Sequence, residues 1–551
     1  MMRRRVTFTV SGLGVLLALL LGACNFAVKE AEDPTAMPQP AISPVPAATA
    51  IPTPEAVMVV DTPTPPLPEV SYTPSRTPSP SPSLTPSHTP TRTPSPTLTP
   101  LPSDTPTPAA TPATVTPLIA DQFEEVSVDS TIRYGLDRSW FAILSVNERT
   151  DTANLNTPEP GSQTETLYLV NPASEQRVQI IEFPSSTNNQ VYWAPDGSKL
   201  LYYLDPALLE DGTRVGGLYL LNLNLGFKLR LYEADTLNPR GIPNLEPIWS
   251  PDSSRVAVVM ETGYHTDIFV ISGDEIEPIN VTADDHSFNL WPAWSPDGTR
   301  LAYVSDRADC PSWVPGEPES CSALDAEPPT SGRLYVLDLE TGVSRQVSEI
   351  EVDAPPSWIS NSEIVVTTGL SAFPPVTSHI WLANIESGIM RDVTAGTGSL
   401  NLGAAWAPNG GQVVYHQATE PASIVLRQAS GTEVSSLEEY PFRRYGFAAD
   451  WSTDGEWVAF AGTDNICPYG LIVARSNLEV FWYEPYSTIN ACDPSYSPDG
   501  SFLAFAGIQV RSGVADGRLD LYVAQPNGAV QTNLTNTLRG EIRLLGWVGP
   551  G

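Results

Sequence analysis

An aromatic residue followed by a Pro-Asp-Gly turn, or a close variant of it, recurs seven times in this sequence and constrains its fold more than any other feature. The copies are WAPDG from Trp193, WSPDS from Trp249, WSPDG from Trp294, WISNS from Trp358, WAPNG from Trp406, WSTDG from Trp451 and YSPDG from Tyr496. Successive aromatics are roughly 45 to 64 residues apart, which is the repeat length of four-stranded propeller blades. The repeat therefore predicts one large β-propeller.

Each copy of the motif predicts a tight turn between two strands. In the copy SPDG from Ser295, proline occupies the second position of a type I turn, where its fixed φ is favourable, and glycine occupies the fourth. An apolar strand follows, as in Leu301–Val304, then a second one, as in Leu334–Leu337, and then a more polar run such as Ser344–Val347. Polar character is expected of an outermost strand that faces solvent, so each unit accounts for four strands.

Over roughly residues 185 to 510 these units resemble the TolB-like propeller repeat, a relative of the WD repeat. The resemblance implies an all-β fold in which the strand ending in the aromatic lines a central channel. The strand after the turn would then lie second from the axis. We expect the repeated tryptophans to pack between neighbouring blades, because they recur at equivalent positions.

The two ends of the propeller region decide the number of blades. A weaker unit without the aromatic turn starts at Trp140–Ile143 and continues through Leu167–Val170 and Val178–Ile181, which brings the count to eight. The run Ile542–Trp547 resembles an innermost strand with no blade after it, and we expect it to close the ring by completing the first blade. Residues 128–136 are an alternative for the same position, and seven blades is the alternative count.

The N-terminus carries an export signal. A basic start, Met1–Arg5, precedes a short apolar core, Val15–Leu21, and the run Leu-Gly-Ala-Cys that ends at Cys24 resembles the bacterial lipobox. In that family the cysteine is lipidated and becomes the first residue of the mature protein. The resemblance predicts a lipoprotein signal peptide over residues 1–23 and a lipid anchor at Cys24. An ordinary secretory signal and a short transmembrane helix are the alternatives.

Residues 24–120 are rich in proline, threonine and serine, as in the run TPSRTPSP from Thr73. Too few large apolar residues occur here to offset the entropy lost on folding, so we expect a disordered linker biased towards polyproline II. Its hydroxyl groups could carry O-linked sugars, or the segment could be a plain spacer. The propeller is assigned to residues 121–551.

Four cysteines remain beside Cys24, and they allow three disulfide pairings. On the propeller arrangement that the resemblance implies, Cys310 and Cys321 bracket one connection between a second and a third strand. Cys467 lies in the corresponding connection of a later blade, and Cys492 precedes the next innermost strand, on the same face. We therefore expect the pairs Cys310 with Cys321 and Cys467 with Cys492. A four-thiolate zinc site is the alternative, although no CxxC spacing is present.

The formal net charge of −34 restricts the partners. Nucleic acid is excluded, because its binding surfaces need clustered lysine and arginine, and anionic membrane surfaces are disfavoured for the same reason. No cofactor is predicted. Calcium on acidic loops, at Asp284 and Asp285 or at Asp306 and Asp309, is an alternative to simple loop capping by these residues.

No catalytic motif of a serine hydrolase, a zinc protease or a P-loop enzyme occurs in the sequence. Some TolB-like propellers resemble metal-dependent polysaccharide lyases with histidine ligands. Here His265, His286, His379 and His416 are all expected near one face of the propeller. Since His379 would begin a third strand, ~10 Å outside the innermost one, we expect surface histidines rather than a shared metal site, and we assign no catalytic or metal-binding residue.

Four residues are the candidates for a binding face: Trp291, Trp313, His265 and His286. Trp291 and Trp313 fall outside the repeat positions, and an exposed ring at either would serve as an anchor for a partner, with core packing as the alternative. We expect a non-enzymatic protein-binding or scaffolding module whose partner is an envelope or extracellular protein. It would be anchored by lipid to the bacterial cell membrane, in the periplasm or at the cell surface. A propeller enzyme or a glycan-binding module acting on extracellular polysaccharide is the alternative.

Overall fold

The computed structural model describes residues 124–133, 136–146, 163–208, 214–232, 245–272, 278–283, 286–321, 329–370, 377–438, 447–463, 467–483, 487–511 and 514–550. The predictions for the signal peptide, Cys24 and the linker lie outside these residues. Within them, no helix has the length and apolar character needed to cross a membrane.

The described residues form eight antiparallel sheets, which are the blades. Each has four strands in the order innermost, second, third, outermost, and one sheet carries a fifth, short strand at its outer edge. The innermost strands of blades 1 to 8 are β33 (Ile542–Val548), β5 (Gln190–Trp193), β9 (Ile248–Trp249), β13 (Asn289–Trp294), β17 (Ser357–Ser360), β21 (Asn401–Trp406), β25 (Ala448–Trp451) and β29 (Ile489–Tyr496). The second strands are β2 (Trp140–Val146), β6 (Lys199–Leu208), β10 (Arg255–Glu261), β14 (Arg300–Ser305), β18 (Glu363–Thr368), β22 (Gln412–Gln417), β26 (Trp457–Ala461) and β30 (Leu503–Arg511).

The third strands are β3 (Thr164–Val170), β7 (Arg214–Asn222), β11 (Thr266–Ser272), β15 (Gly332–Asp338), β19 (His379–Asn384), β23 (Ser423–Gln428), β27 (Ile472–Arg475) and β31 (Val514–Ala524). The outermost strands are β4 (Arg177–Pro184), β8 (Phe227–Tyr232), β12 (Ile279–Asn280), β16 (Ser344–Val352), β20 (Ile389–Asp392), β24 (Glu433–Leu437), β28 (Val480–Tyr483) and β32 (Thr532–Asn533). The prediction of an eight-bladed propeller is confirmed.

The two ends of the described chain meet the ring at different places. The C-terminal strand β33 pairs with β2, with Phe141 opposite Trp547, and so supplies the innermost strand of blade 1 as expected. The alternative for that position, residues 128–136, is wrong. The chain before blade 1 instead forms the short strand β1 (Glu124–Glu125), which pairs with the outer edge of β8 on blade 2.

The connections between strands divide the propeller into two faces. We call the face with the short Pro-Asp-Gly turns and the connections from third to outermost strands the turn face. The loop face carries the connections from second to third strands and from each outermost strand to the next blade. The connections on the turn face are regular, whereas those on the loop face vary in length from blade to blade. In blade 4, for example, one loop-face connection runs from Ser305 to Gly332.

The repeated tryptophans link neighbouring blades, as expected. In most blades the indole Nε1 donates to the backbone carbonyl one residue before the aromatic of the preceding blade. These bonds are Trp249 to Tyr192 (3.0 Å), Trp294 to Ile248 (2.9 Å), Trp358 to Ala293 (3.0 Å), Trp451 to Ala405 (3.1 Å) and Trp547 to Ser495 (2.9 Å). The last bond joins blade 8 to blade 1, so the ring closes through the same contact that joins most other blades.

Three boundaries lack this bond. The Nε1 atoms of Trp193 and Trp406 have no hydrogen-bond partner among the described residues, and at the boundary between blades 7 and 8 the aromatic is Tyr496. The phenol donates to Pro526 O within its own blade (2.9 Å). The carboxylate of Asp450, on the neighbouring innermost strand, accepts the backbone N–H groups of Tyr496 (2.8 Å) and Trp451 (2.9 Å). Asp450 thus makes the inter-blade link that an indole makes elsewhere.

Candidate functional site

The connection between β14 and β15 in blade 4 is a long loop on the loop face. The disulfide Cys310–Cys321 closes its first part, with the Cα atoms 5.9 Å apart. Ser287, on the approach to the innermost strand, donates to Cys310 O (2.9 Å) and ties this loop to the blade. The predicted pairing of these two cysteines is confirmed.

The second disulfide, Cys467–Cys492, is also present as predicted, with Cα atoms 5.0 Å apart. One detail of the prediction is wrong, because Cys492 does not precede the innermost strand of blade 8 but lies within β29. Cys467 belongs to the loop-face connection of blade 7, so this bond joins two blades, whereas Cys310–Cys321 lies within one.

His286 and Glu317 meet where the disulfide loop of blade 4 folds back on the propeller. Nδ1 of His286 lies 3.0 Å from Oε2 of Glu317, which also accepts a hydrogen bond from Ser312 Oγ (2.6 Å). These two hydrogen bonds lower the pKa of Glu317. The backbone strengthens the contact, since Trp313 N donates to His286 O (2.9 Å). The loop is therefore held at both its disulfide and its carboxylate.

His265 lies beside this contact, at the end of the loop-face connection of blade 3. Its ring centroid is 5.4 Å from that of His286, and its Nε2 is 3.5 Å from Oδ2 of Asp267. Burial opposes ionisation of Asp267, but hydrogen bonds from His265, Asn280 and Thr262 outweigh it and lower the pKa of this carboxyl. The pair of imidazoles is thus flanked by two carboxylates that are held in the charged form.

The structure brings His265 and His286 together but leaves the other two predicted histidines elsewhere on the same face. His379, in blade 5, bonds through Nδ1 to Asp392 Oδ2 (2.9 Å), and His416, in blade 6, stacks on Phe447 with centroids 5.8 Å apart. In the part of the chain that the structure describes, no three histidine, cysteine or acidic side chains are grouped closely enough to hold a metal ion.

Trp313 packs against the propeller instead of standing free as an anchor. Its ring meets Phe288 edge-on, at 5.1 Å and 90°, and its Nε1 donates to Asp306 Oδ2 (2.7 Å). The other oxygen of Asp306 accepts Phe288 N (2.8 Å), and Asp309 pairs with Arg333 Nε at 3.3 Å. Asp306 and Asp309, the first pair considered for calcium, are therefore bonded to other groups of the protein. The second pair, Asp284 and Asp285, lies outside the described residues.

The interpretation of Trp291 as an exposed anchor is wrong. Trp291 is 3% exposed and belongs to the hydrophobic core that blades 3, 4 and 5 share. The pairing of β13 with β14 slips between Leu290 and Ala293, and Trp291 takes a positive φ of 52° in this bulge. A bulge turns one side chain out of the alternating pattern, and here it turns the ring inward.

Exposed groups surround this rigid frame. Tyr264 is 51% exposed next to the buried His265, and the side chain of His286 is 48% exposed. We name the set of Tyr264, His265, His286, Trp313 and Glu317 the histidine–loop site. It brings an aromatic ring, an imidazole and a carboxylate together at and beside a disulfide-closed loop.

A second repeated motif escaped the sequence reasoning. After the outermost strand of blade 8, Thr535 Oγ1 donates to Asp520 Oδ1 (2.7 Å) and accepts Leu521 N (3.0 Å), while Asn533 Nδ2 donates to Asp520 Oδ2 (3.1 Å). Blade 3 repeats the network with Asn280, Thr282 and Asp267, and blade 5 has its counterpart in Asp392, Thr394 and His379. The recurrence of Asn/Asp-x-Thr at equal positions was the available signal, and it gives His379 a structural role.

No protein-family model matches this chain, and no curated protein matches it. Among solved structures, a eukaryotic initiation factor is similar with a TM-score of 0.47 and 14% identity, over 75% of this chain and 100% of that one. An oligogalacturonate lyase in complex with manganese has a TM-score of 0.38 and 18% identity, over 69% and 96%. TolB from Acinetobacter baumannii has a TM-score of 0.33 and 13% identity, over 72% and 81%.

These likenesses are too distant to transfer an activity, a substrate or a partner. The strand pairing of the chain itself therefore identifies its fold. The described residues form an eight-bladed β-propeller.

Proposed function

We propose that this chain is a non-enzymatic docking module that binds a protein partner on the loop face of its propeller, at the histidine–loop site. One observation carries the proposal: the exposed side chains of Tyr264 and His286 lie on two connections beside the blade 4 loop, which a disulfide, the Glu317 contact and the Trp313 indole bond hold in place. A surface that is already rigid loses little conformational entropy on binding, which is how a small patch reaches useful affinity.

The chemistry of the site indicates what kind of partner it takes. Aromatic rings are enriched where interfaces carry most of their binding energy, and Tyr264 is the exposed ring here. Ionised Glu317 and Asp267 stand nearby, and the whole chain carries a net charge of −34. Electrostatic attraction therefore favours a partner that presents a basic or neutral surface to this face.

We also propose that the propeller is extracytoplasmic and held to the cell membrane by a lipid on Cys24. The lipobox-like run before Cys24 supports the anchor. The two disulfides support an oxidising compartment, because structural disulfides persist there and are rare in the cytosol. Replacing Cys24→Ser tests the anchor: the variant should leave the detergent phase in phase partitioning. Retention there would overturn the lipid anchor and favour an uncleaved apolar helix.

The experiment that tests the docking function is crosslinking in native membranes, purification through a C-terminal tag and mass spectrometry of the adducts. The wild-type chain should yield one reproducible protein partner crosslinked to the loop face. The double change Tyr264→Ala and His286→Ala should lower the yield at least fivefold, whereas Leu225→Ala, an exposed position of the turn face, should leave it unchanged.

Two results would overturn the docking function. Equal yields from the loop-face and turn-face variants would remove the site from the interaction. Absence of any partner, combined with saturable binding or turnover of extracellular polysaccharide, would replace the protein-binding function with the glycan-directed alternative.

A further inference from the structure

The loop between Cys310 and Cys321 consists of two halves that are attached to the propeller differently. In the first half, which ends at Trp313, Cys310 N donates to Asp306 O (2.7 Å) and Trp313 N donates to His286 O (2.9 Å). The ring of Trp313 also packs against the core that blades 3, 4 and 5 share. This half is therefore fixed to its blade by contacts that do not depend on the disulfide.

The second half, from Val314 to Cys321, lies back on the first half and on His286. Glu317 Oε2 accepts a hydrogen bond from Ser312 Oγ (2.6 Å) and lies 3.0 Å from His286 Nδ1. Cys321 N donates to Ser312 O (2.9 Å). Single hydrogen bonds at partly exposed positions contribute little net stability, because water competes for the same groups. The disulfide adds a covalent link that keeps this half in place.

The second half also carries backbone strain. Glu319 takes a φ of 60°, in the left-handed region that residues with a Cβ rarely adopt. A residue held in that region costs free energy, and it keeps the conformation only where the surrounding contacts impose it. Because Cys321 lies two residues further along the chain, opening of the disulfide would remove one of these constraints.

The two disulfides differ in their accessibility to a thiol. Cys321 is partly exposed, although its partner Cys310 is buried. Cys467 and Cys492 are 8% and 0% exposed, and they belong to an apolar cluster with Ala506. Thiol–disulfide exchange begins when a thiolate attacks one of the two sulfurs, so access to that sulfur controls the rate. A dissolved thiol therefore reaches the disulfide of blade 4 more readily than the one between blades 7 and 8.

We propose that Cys310–Cys321 is a redox latch on the histidine–loop site, which a dithiol opens. A thiolate of the dithiol attacks Cys321 Sγ, the S–S bond breaks, and Cys310 leaves as a thiolate that takes up a proton. The second thiol of the reductant then attacks the mixed disulfide and releases Cys321 as a thiol. The dithiol is oxidised to a disulfide by loss of two electrons, and its two protons end on the two cysteines. The second half of the loop then separates from His286.

The effect of this latch on partner binding rests on the proposed docking function, whereas the opening of the loop does not. In the closed loop, Glu317 beside His286 supplies an ionised carboxylate at a fixed place. In the open loop that carboxylate moves away, and the site loses both charge and rigidity. Affinity for a basic partner surface should therefore fall on reduction.

Graded treatment of the full-length chain with dithiothreitol, followed by alkylation and peptide mass spectrometry, tests the chemical step. Cys310 and Cys321 should become alkylated at least tenfold faster than Cys467 and Cys492, which provide the internal control. Equal rates at the two disulfides would overturn the latch.

Hydrogen exchange on the same samples tests the movement. Exchange should rise in residues 314–321 on reduction and stay unchanged in residues 306–313, because only the second half is released. Reduction of Cys310–Cys321 without faster exchange in residues 314–321 would overturn the latch as well.

Crosslinking to the protein partner separates regulation of the site from the docking function itself. Reduction under conditions that leave Cys467–Cys492 intact should lower the partner yield at least threefold. The double change Cys310→Ser and Cys321→Ser should give this low yield with and without dithiothreitol. An unchanged yield from an opened loop would overturn the regulation. Absence of any partner from the oxidised wild-type chain would instead overturn the docking function, while exchange in residues 314–321 still decides whether the latch opens.

Discussion

The boundaries between blades differ in the bond that links the two blades. The contrast is greatest between two of them: the boundary of blade 4 with blade 5, and the boundary of blade 7 with blade 8. Between blades 4 and 5, Trp358 donates its indole N–H to Ala293 O, a neutral bond that does not change with pH. Between blades 7 and 8, Tyr496 has no indole, and the carboxylate of Asp450 bonds to the Tyr496 backbone instead. The first boundary is linked by an indole N–H that does not titrate, and the second is linked by the carboxyl of Asp450, which does.

A disulfide adds to the same irregular boundary. Cys467–Cys492 joins blade 7 to blade 8, whereas Cys310–Cys321 lies within blade 4. At this boundary the missing indole bond is thus accompanied by an ionisable link and a covalent one. Repeat proteins distribute their stability over nearest-neighbour interfaces, so an atypical interface is where their properties change first.

The largest expected effect concerns Asp450. The residue keeps part of its surface exposed, but its carboxyl lies deep among protein atoms. This desolvation raises the pKa of Asp450 to about 7, although the two N–H bonds act in the opposite direction. Because the folded state binds the proton more tightly than the unfolded chain, wild-type stability should fall as pH rises from about 4 to about 7. At ~1.4 kcal/mol per pKa unit, the loss is on the order of 3 to 4 kcal/mol.

Asp450→Asn should remove this slope, and denaturant unfolding across that pH range measures it. Asp297→Asn is the control: hydrogen bonds from Ser295 and Thr299 outweigh burial and lower the pKa of Asp297. Its contribution to stability is therefore present above the ordinary aspartate pKa and lost at lower pH. Parallel curves for wild type and Asp450→Asn would contradict the role of Asp450.

The second effect compares the two disulfides. Replacing both Cys467 and Cys492 by serine should destabilise the propeller by about 3 to 4 kcal/mol, since a loop of 25 residues loses its closure in the unfolded chain. The same change at Cys310 and Cys321 should cost less, about 3 kcal/mol, because only 11 residues are closed. Thermal unfolding of both variants under oxidising conditions provides the comparison. A greater loss of stability on removing Cys310–Cys321 would contradict this order. It would show that the bond between blades 7 and 8 contributes no more than the bond within blade 4.

The third effect compares two tryptophans. Trp358→Phe removes a buried hydrogen bond and leaves Ala293 O without its donor, which should cost about 1 to 3 kcal/mol. Trp406→Phe is the matched control, because the buried Nε1 of Trp406 has no hydrogen-bond partner among the described residues. That change should be close to neutral in the same unfolding measurement. Equal losses would mean that the rings act by packing alone.

The smallest effect concerns the turns. Ser295 donates to Asp297 Oδ1 (2.6 Å) and accepts Arg300 N (2.9 Å), so Ser295→Ala should cost about 1 kcal/mol. Ala194 and Ala407 occupy this position in blades 2 and 6. The reverse change Ala407→Ser should therefore stabilise the chain slightly. A gain from Ser295→Ala in chemical denaturation would contradict the assigned bonds.

The fold was predictable because its determinants are local and repeated. The turn motif beginning at Ser295 predicts where one strand ends and the next begins. Trp547 follows the last repeat unit, and this position predicts the closing strand. The histidine–loop site was harder, since the contact between His265 and His286 depends on how two loops of different blades approach each other. The burial of Trp291 depends on a bulge that the sequence does not mark. The role of Asp450 was readable only from the single tyrosine in a series of tryptophans.

The closing strand has a consequence for biosynthesis. Trp140 pairs with Val548, so the first blade is completed by a strand that is synthesised roughly 400 residues after β2. Contacts of such high sequence separation form slowly, and until then β2 presents an open edge to other chains. A nascent chain therefore depends on protection of that edge until β33 has been synthesised. A fragment cut short before Ile542 keeps the edge open permanently and becomes a substrate for aggregation or proteolysis.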